Sequence, residues 1–400
     1  MHPSRRPVSI AAALTALLAA GALSAAPAPQ VKNPPRALPP ELPADVLTVA
    51  PGPTSSERIY AMDLALNHTT DSRVRVLDAR SGKILGMIST GFLGNFTLSA
   101  KADEMYVVTT HHSRTTRGER ADVLEVHDTA SLAFKYEVVL PTRRAQALNY
   151  RGLLRPTGNG RFLLVQNATP ATSVTVVDLQ QRKVVGEVPT PGCYLVYPSA
   201  THGSRFSTVC GDGKVATITL DDNGQVSDRQ LTDKLFDADD DAWFQHAEQI
   251  GDRYWFLSFK GTLTELNLGG PVAVVKAKRM LAEGAGQPKG WRPGGYQIFA
   301  VHPSGQRVVL AMHDIGAEGS HKRPAKQLWM FDIASGRRIA NPAVHGTTSL
   351  NFSRNGQRLH TVNGETGGMD VWQWSDSGAL RKITTVKRAG DAVLQIESHD

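Results

Sequence analysis

A short phrase recurs along this chain: alternating apolar residues that end in Asp or a close substitute, followed by a turn. Val74-Arg75-Val76-Leu77-Asp78 runs into Ser81-Gly82-Lys83, and Leu124-Glu125-Val126-His127-Asp128 and Val174-Thr175-Val176-Val177-Asp178 repeat it. Weaker copies follow at Val215–Thr219, Leu263–Asn267, Leu328–Asp332 and Met369–Gln373, with spacings from about 40 to about 65 residues. A strand-built period in this range is the mark of a β-propeller, in which each blade buries its apolar faces against its neighbours. Seven copies predict an all-β, seven-bladed ring of four-stranded antiparallel blades. The apolar fraction of 41% suits a chain with a large core. A propeller is a platform, so function has to be sought in loops and partners.

A second phrase supports the blade reading. His302-Pro303-Ser304-Gly305-Gln306-Arg307 and Ser353-Arg354-Asn355-Gly356-Gln357-Arg358 are near copies, with looser ones at Pro156–Phe162 and Ser99–Met105. Gly or Asn supplies the positive φ of a hairpin turn in most of them, and Asp103 is expected to do so in the last. The Asp that ends each strand is expected to accept hydrogen bonds from the amides of the next turn. Two segments lengthen against the repeat, 109–121 and 314–326, and both are expected to be loops. The acidic run Asp237–Asp241 reads as a solvated bend, since it lacks the spacing of a calcium loop.

Residues 1–26 read as a secretory signal peptide: Arg5 and Arg6, an apolar run from Val8 to Leu23, and small residues at Ser24-Ala25-Ala26. Residues 27–50 form a Pro-rich lead-in, and the propeller is expected over 51–400. The mature chain is then an exported, periplasmic protein. In that setting the two cysteines, Cys193 and Cys210, are expected to pair across two strands of one blade. Closing a loop of this size contributes about 3 kcal/mol. The net charge of +7 falls to +5 without Arg5 and Arg6. No basic stripe with interleaved aromatics is present, which argues against nucleic-acid binding.

Catalytic motifs are missing from the sequence. It has no Gly-x-Ser-x-Gly elbow and no His-Glu-x-x-His pair. His111 and His112 are adjacent, so a strand would point them to opposite faces. His313, Asp314 and His321 could meet across the late loop, but read as loop residues rather than metal ligands. Arg114, Arg117, Glu119 and Arg120 read as an ion-pair network or a subunit contact. No metal site is expected on this chain.

Longer phrases carry a resemblance. Gly86-Met87-Ile88-Ser89-Thr90-Gly91-Phe92-Leu93-Gly94-Asn95, Ser113–Arg120 and Gly290-Trp291-Arg292-Pro293-Gly294-Gly295 resemble methylamine dehydrogenase heavy chains. Leu148-Asn149-Tyr150, Gln166–Ser173, Cys210-Gly211-Asp212-Gly213 and Glu318-Gly319-Ser320-His321-Lys322 look closer to the aromatic amine dehydrogenase heavy chain. The likeness runs from about residue 57 to residue 395.

This resemblance implies the heavy subunit of an α₂β₂ periplasmic enzyme. Its cofactor, tryptophan tryptophylquinone, would lie in the small (light) subunit, so this chain would bind no cofactor and hold no catalytic residue. The implied reaction is oxidative deamination of a primary amine to an aldehyde and ammonia, aromatic amines being favoured over methylamine. Electrons would pass to a blue-copper protein of azurin or amicyanin type. Phe92 would line the substrate channel, with Leu93 and Asn95 as weaker candidates for the same rim. Two rivals share the fold: a non-enzymatic envelope propeller that binds proteins, and a lactonase with metal ligands such as Asp63, Asn67 and Asp314.

Overall fold

Alternation along Ser72–Asp78 places Val74 and Val76 on a buried face, and the strand pairs antiparallel with Arg58–Asp63 on one side and Ile84–Gly91 on the other. The computed structural model describes residues 57–283 and 287–400, so the expected signal peptide and lead-in lie outside the described residues. Arg58–Asp63 also pairs with Val393–Ser398, which builds the first sheet from sequence-distant strands. Asp63 latches this closure: its carboxylate accepts from the amides of Ala65, Asp391 and Ala392 at 2.9–3.0 Å.

Four more four-stranded antiparallel sheets follow, beginning with Asn95–Leu98, Leu154–Pro156, Cys193–Pro198 and Trp243–Ile250. The expected count of seven separate blades is not met. The described residues form five separate four-stranded blades and one nine-stranded sheet that holds the last two copies of the phrase. The cause is a pairing between Ala325–Asp332 and the ten-residue strand Ala343–Phe352, through Ala325↔Thr347 and Gln327↔Ala343. That bridge joins strands that the repeat alone would keep in different blades.

Apolar faces interlock between successive sheets. Tyr60, Met62 and Val74 pack with Phe96, Met105 and Val107, and Tyr106 and Leu124 pack with Leu154 and Leu163. Ile59, Leu77 and Ile396 pack with Val362, Met369 and Val371, so the nine-stranded sheet closes onto the first. Fully buried Trp255, Trp329, Phe162 and Phe206 are among the largest contributors, and truncating one such side chain to Ala costs about 3–5 kcal/mol.

The Asp-ended strands behave as expected. Asp128 accepts from the Ser131 amide at 2.7 Å, Asp178 from Gln180 and Gln181 at 2.9 and 2.8 Å, and Asp332 from Ser335 at 2.8 Å. In the hairpin turns, Gly160, Gly305 and Gly356 take φ near +70°. In the fourth copy the left-handed residue is Ala102 (φ +56°), not Asp103. Ala102 donates to the Ser99 carbonyl, the same register in which Gly305 donates to His302, so hydrogen bonding fixes the position despite the steric cost. Segment 109–121 is not a loop. The strands Glu104–Arg114 and Arg117–Asp128 continue through it as one long hairpin, with His111 opposite Ala121 and His112 opposite Arg120. Segment 314–326 holds a 3-10 turn, Ser320–Lys322. Cys193 and Cys210 face each other in register and form a disulfide.

Candidate functional site

The segment Gly91-Phe92-Leu93-Gly94 turns between two strands and leads into Asn95–Leu98. Leu93 sits at φ +46°, a strained value for a residue with a Cβ, and a Cβ at Gly94 would lie 2.2 Å from the Thr90 carbonyl oxygen. The strain is held by side-chain donors. Arg144 donates to the Phe92 and Leu93 carbonyls at 2.5 and 2.9 Å, and Asn149 donates to the Gly94 carbonyl at 2.6 Å. Three successive carbonyls are thereby satisfied from one side of the turn. Phe92 and Leu93 remain half-buried, whereas Asn95 is buried in the strand beneath them, opposite Val108. The Phe92 ring stands edge-on to His112 of the long hairpin, with centroids 6.2 Å apart.

Arg144 is itself held from behind. Its Nε donates to Thr110 Oγ1 at 2.9 Å, and that hydroxyl donates to Asp122 at 2.6 Å. Fully buried Asp122 takes two hydrogen bonds from Arg120, at 2.9 and 2.7 Å, and lies 4.0 Å from Arg144. Burial pushes the Arg144 guanidinium down to about 10, against the pull of Asp122. The group is therefore charged at neutral pH, and charge-assisted bonds to carbonyls are among the stronger neutral-partner contacts available.

Arg151 lies nearby in sequence, in the 3-10 turn Arg151–Leu153. It donates to Glu248 and Glu397 at 2.5 Å each and to Asn351 at 2.7 Å, which ties three other strands together. A cleft of about 400 Å³ opens beside it.

A second cleft, of about 370 Å³, is lined by Tyr150, Trp243, Phe244, Phe259, His321 and Lys322. The Lys322 ammonium donates to the Tyr150 hydroxyl at 2.8 Å and lies over the rings of Tyr150 and Tyr296, at 5.0 and 4.7 Å.

The remaining sequence candidates go to structural work or stay apart. His313 is buried and accepts from the Ile315 amide, Asp314 pairs with Lys326 at 2.9 Å, and His321 is exposed. Among the described residues no group of three or more His, Cys, Asp or Glu side chains could hold a metal ion. Asp63 is engaged as the latch described above, and Asn67 is exposed on a 3-10 turn. Arg120 joins the Asp122 network, while His111 pairs with Glu125 at 3.0 Å. Asp237 caps the four-residue helix Ala238–Asp241 and pairs with Lys234. Sequence reasoning missed Arg144, Asp122, Arg151 and Lys322 as site residues: Arg144, Arg151 and Lys322 meet partners far away along the chain, and Asp122, though bonded to nearby Arg120, sits in no recognisable motif.

The model of the methylamine dehydrogenase heavy chain family matches residues 55–396. The chain belongs to this family. It is 27% identical over 356 residues to the methylamine dehydrogenase heavy chain of Methylophilus methylotrophus, covering 88% of this chain and 86% of the relative. It is 25% identical over 361 residues to the heavy chain of Paracoccus versutus, covering 89% and 82%. Among solved structures, it resembles the periplasmic gluconolactonase of Pseudomonas aeruginosa, with a TM-score of 0.57 at 15% identity over 86% of this chain and 98% of that one. A Lactobacillus plantarum protein gives 0.58 at 13% identity, covering 86% and 99%. These two likenesses concern the propeller fold alone. They carry no lactonase activity to a member of the methylamine dehydrogenase heavy chain family. No helix among the described residues is long and apolar enough to cross a membrane.

Proposed function

We propose that this amine dehydrogenase heavy subunit works in the periplasm, after removal of its leader, in an α₂β₂ assembly with a light subunit that carries tryptophan tryptophylquinone. The assembly oxidatively deaminates primary amines to aldehyde and ammonia, aromatic amines in preference to methylamine, and passes electrons to a blue-copper protein. The quinone supplies the redox chemistry. The heavy chain supplies shape: Phe92 and Leu93 form the rim of the substrate channel, with Asn95 beneath as support.

The observation that carries this reading is the Phe92 turn. Family membership over nearly the whole described chain makes it a heavy subunit. Within it, one strained turn has three consecutive carbonyls held by side chains while its apolar side chains are left partly open. A rigid ring placed so can exclude water and select amines by size. The aromatic preference draws on the phrases around Asn149, Asn167 and Lys322, and on the ring pair formed by Phe92 and His112. The relatives are named for methylamine, and at such identities a rim can be reshaped while the scaffold is kept.

The test is to purify the chain with whatever accompanies it and record the visible spectrum during addition of amines. A small subunit whose quinone absorption bleaches with phenylethylamine or tyramine faster than with methylamine is the expected result. Bleaching only by methylamine would overturn the aromatic preference. A colourless propeller without a small subunit would overturn the enzymatic reading in favour of a protein-binding module.

A further inference from the structure

The Lys322 cleft and the Phe92 turn are joined by one segment. Asn149 donates to the Gly94 carbonyl of the turn, and the next residue, Tyr150, takes a hydrogen bond from Lys322. The cleft wall is stiff: Trp243 stacks on Phe236 at 4.2 Å and on Phe256 at 4.8 Å, with interplanar angles of 16° and 19°. Lys322 is half-buried on that wall between two tyrosine rings.

What Lys322 lacks is a counter-charge. No carboxylate of the described residues forms an ion pair with it, although 21 other Lys or Arg pairs with carboxylates are found among those residues, down to exposed ones such as Lys234–Asp237. Burial alone pushes its ammonium down to about 8. Tyrosine faces and one hydroxyl compensate the charge only in part. A buried cation is normally paired, since leaving it unpaired costs more than the pair returns. Three carboxylates, Asp239, Asp240 and Glu318, also line the cleft, but all three are exposed, Asp240 is engaged by Lys260, and none pairs with Lys322. Solvent screens them from the ammonium inside. The cleft thus has an aromatic wall, one half-buried ammonium without an ion pair, exposed carboxylates elsewhere on its lining, and room for one or two side chains.

We propose that this cleft is a docking socket for the light subunit, which inserts a carboxylate, from an acidic side chain or its C-terminus, onto Lys322 between Tyr150 and Tyr296. The inference rests on the heavy-subunit reading above and deepens it. Through Asn149 and Tyr150, seating of the light subunit is mechanically continuous with the turn that presents Phe92. The socket therefore sets the register between the two subunits at the channel.

The experiment uses the co-expressed complex. Wild type, Lys322→Met, Lys322→Arg and Tyr150→Phe are each purified with the light subunit, and dissociation on dilution is followed at 50 and 300 mM salt. Lys322→Met should weaken association about ten-fold or more at both salt concentrations, chiefly through faster dissociation, as loss of a desolvated charge pair does. Lys322→Arg should retain most of the affinity, because charge is kept. Tyr150→Phe should lie between them. Wild-type affinity at both salt concentrations in a folded Lys322→Met complex would overturn the socket and leave the subunit pairing standing. Should Lys322→Met not fold, acetylation of wild-type Lys322 decides: protection in the complex supports the socket, and equal labelling with and without the light subunit overturns it. If the wild-type chain forms no complex with any light subunit, the heavy-subunit reading falls first and the socket with it.

Discussion

Arg144 and Arg151 both precede the short strand Leu154–Pro156, and their side chains are only 1% and 13% exposed. They use the same five donors in opposite ways. Arg151 spends its donors on charge: two carboxylates and an amide from sequence-distant strands close around it. Arg144 spends its donors on shape: two go to consecutive carbonyls of one strained turn, and its nearest carboxylate, Asp122, is shared with Arg120. Burial lowers both guanidinium groups, but Glu397 and Glu248 more than reverse this for Arg151, while Asp122 does not for Arg144. A charge that is neutralised in place serves architecture. A charge left partly uncompensated, with its donors on backbone oxygens, serves to position what that backbone carries.

The largest expected effect tests the first half of the contrast. Arg151→Met leaves buried Glu248 and half-buried Glu397 without their shared cation, which costs about 3–5 kcal/mol. Chemical denaturation of the purified complex should show that loss, and the surviving folded enzyme should keep its ranking of amines. A changed ranking with little loss of stability would mean that Arg151 is a site residue and would break the contrast.

Acid sharpens it. Burial pushes the Glu248 carboxyl up, but Arg151 and His246 together hold it below 4.5. A carboxyl depressed by folding stabilises above its unfolded value and loses that contribution as pH falls below about 4.5. His360 adds an earlier phase. Burial, helped by Arg358, pushes its ring down from 6.5 to about 3. The unfolded chain then binds the proton first, so stability is full above 6.5 and declines as pH falls, by about 2 kcal/mol at pH 5. Stability curves should therefore bend near pH 6.5 and again below 4.5. His360→Leu should shrink the first bend, to which the depressed rings of His399, His313 and His302 also contribute, and Arg151→Met should reduce the second, which Glu248 shares with other lowered carboxylates such as Glu125 and Asp252. An undiminished first bend in His360→Leu would assign it elsewhere.

Arg144→Met tests the second half. Two carbonyls lose their donors, at a cost of about 1–3 kcal/mol, less than for Arg151. The added consequence is a displaced Phe92 turn, so relative kcat/KM across amines should shift, chiefly through KM. Stability loss with an unchanged ranking would reduce Arg144 to architecture.

The legible parts of this molecule are the local ones. Asp128, Asp178 and Asp332 announced their turns because an Asx turn needs only residues two or three positions on. The disulfide was legible because the two cysteines end facing strands. The hairpin through His111 and Arg120 was missed because both of its faces are polar, which removes the period-2 contrast that marks a strand. The fusion of the last two repeats was missed because Ala325↔Thr347 is a pairing between repeats, and a repeat reports only what happens inside it. Arg144 and Arg151 carried no signal, and Lys322 only as part of a family-like phrase, because their partners lie 22 to 246 residues away. The phrase containing Phe92 did stand out, since Gly91 and Gly94 mark a turn whatever holds it.

Phe92→Ala is the smallest perturbation of the fold and isolates the side chain from the turn that carries it. Its carbonyl bonds to Arg144 are made by backbone and survive the substitution. The ring is half-buried, so stability should change by about 1 kcal/mol or less. What changes, on the proposed role of Phe92, is the volume at the rim of the channel. Discrimination by a pocket of this kind amounts to about 1–3 kcal/mol, roughly a 5- to 150-fold change in relative kcat/KM between a short and an aromatic amine. Turnover of the better-tolerated amine should survive, because a ring that excludes water and selects size takes no part in proton transfer. The same shift in Phe92→Ala and Arg144→Met, with the double variant no worse than either, would show that Arg144 acts through this ring. Additive shifts would show that it acts by another route, and an unchanged ranking in Phe92→Ala would remove Phe92 from the channel.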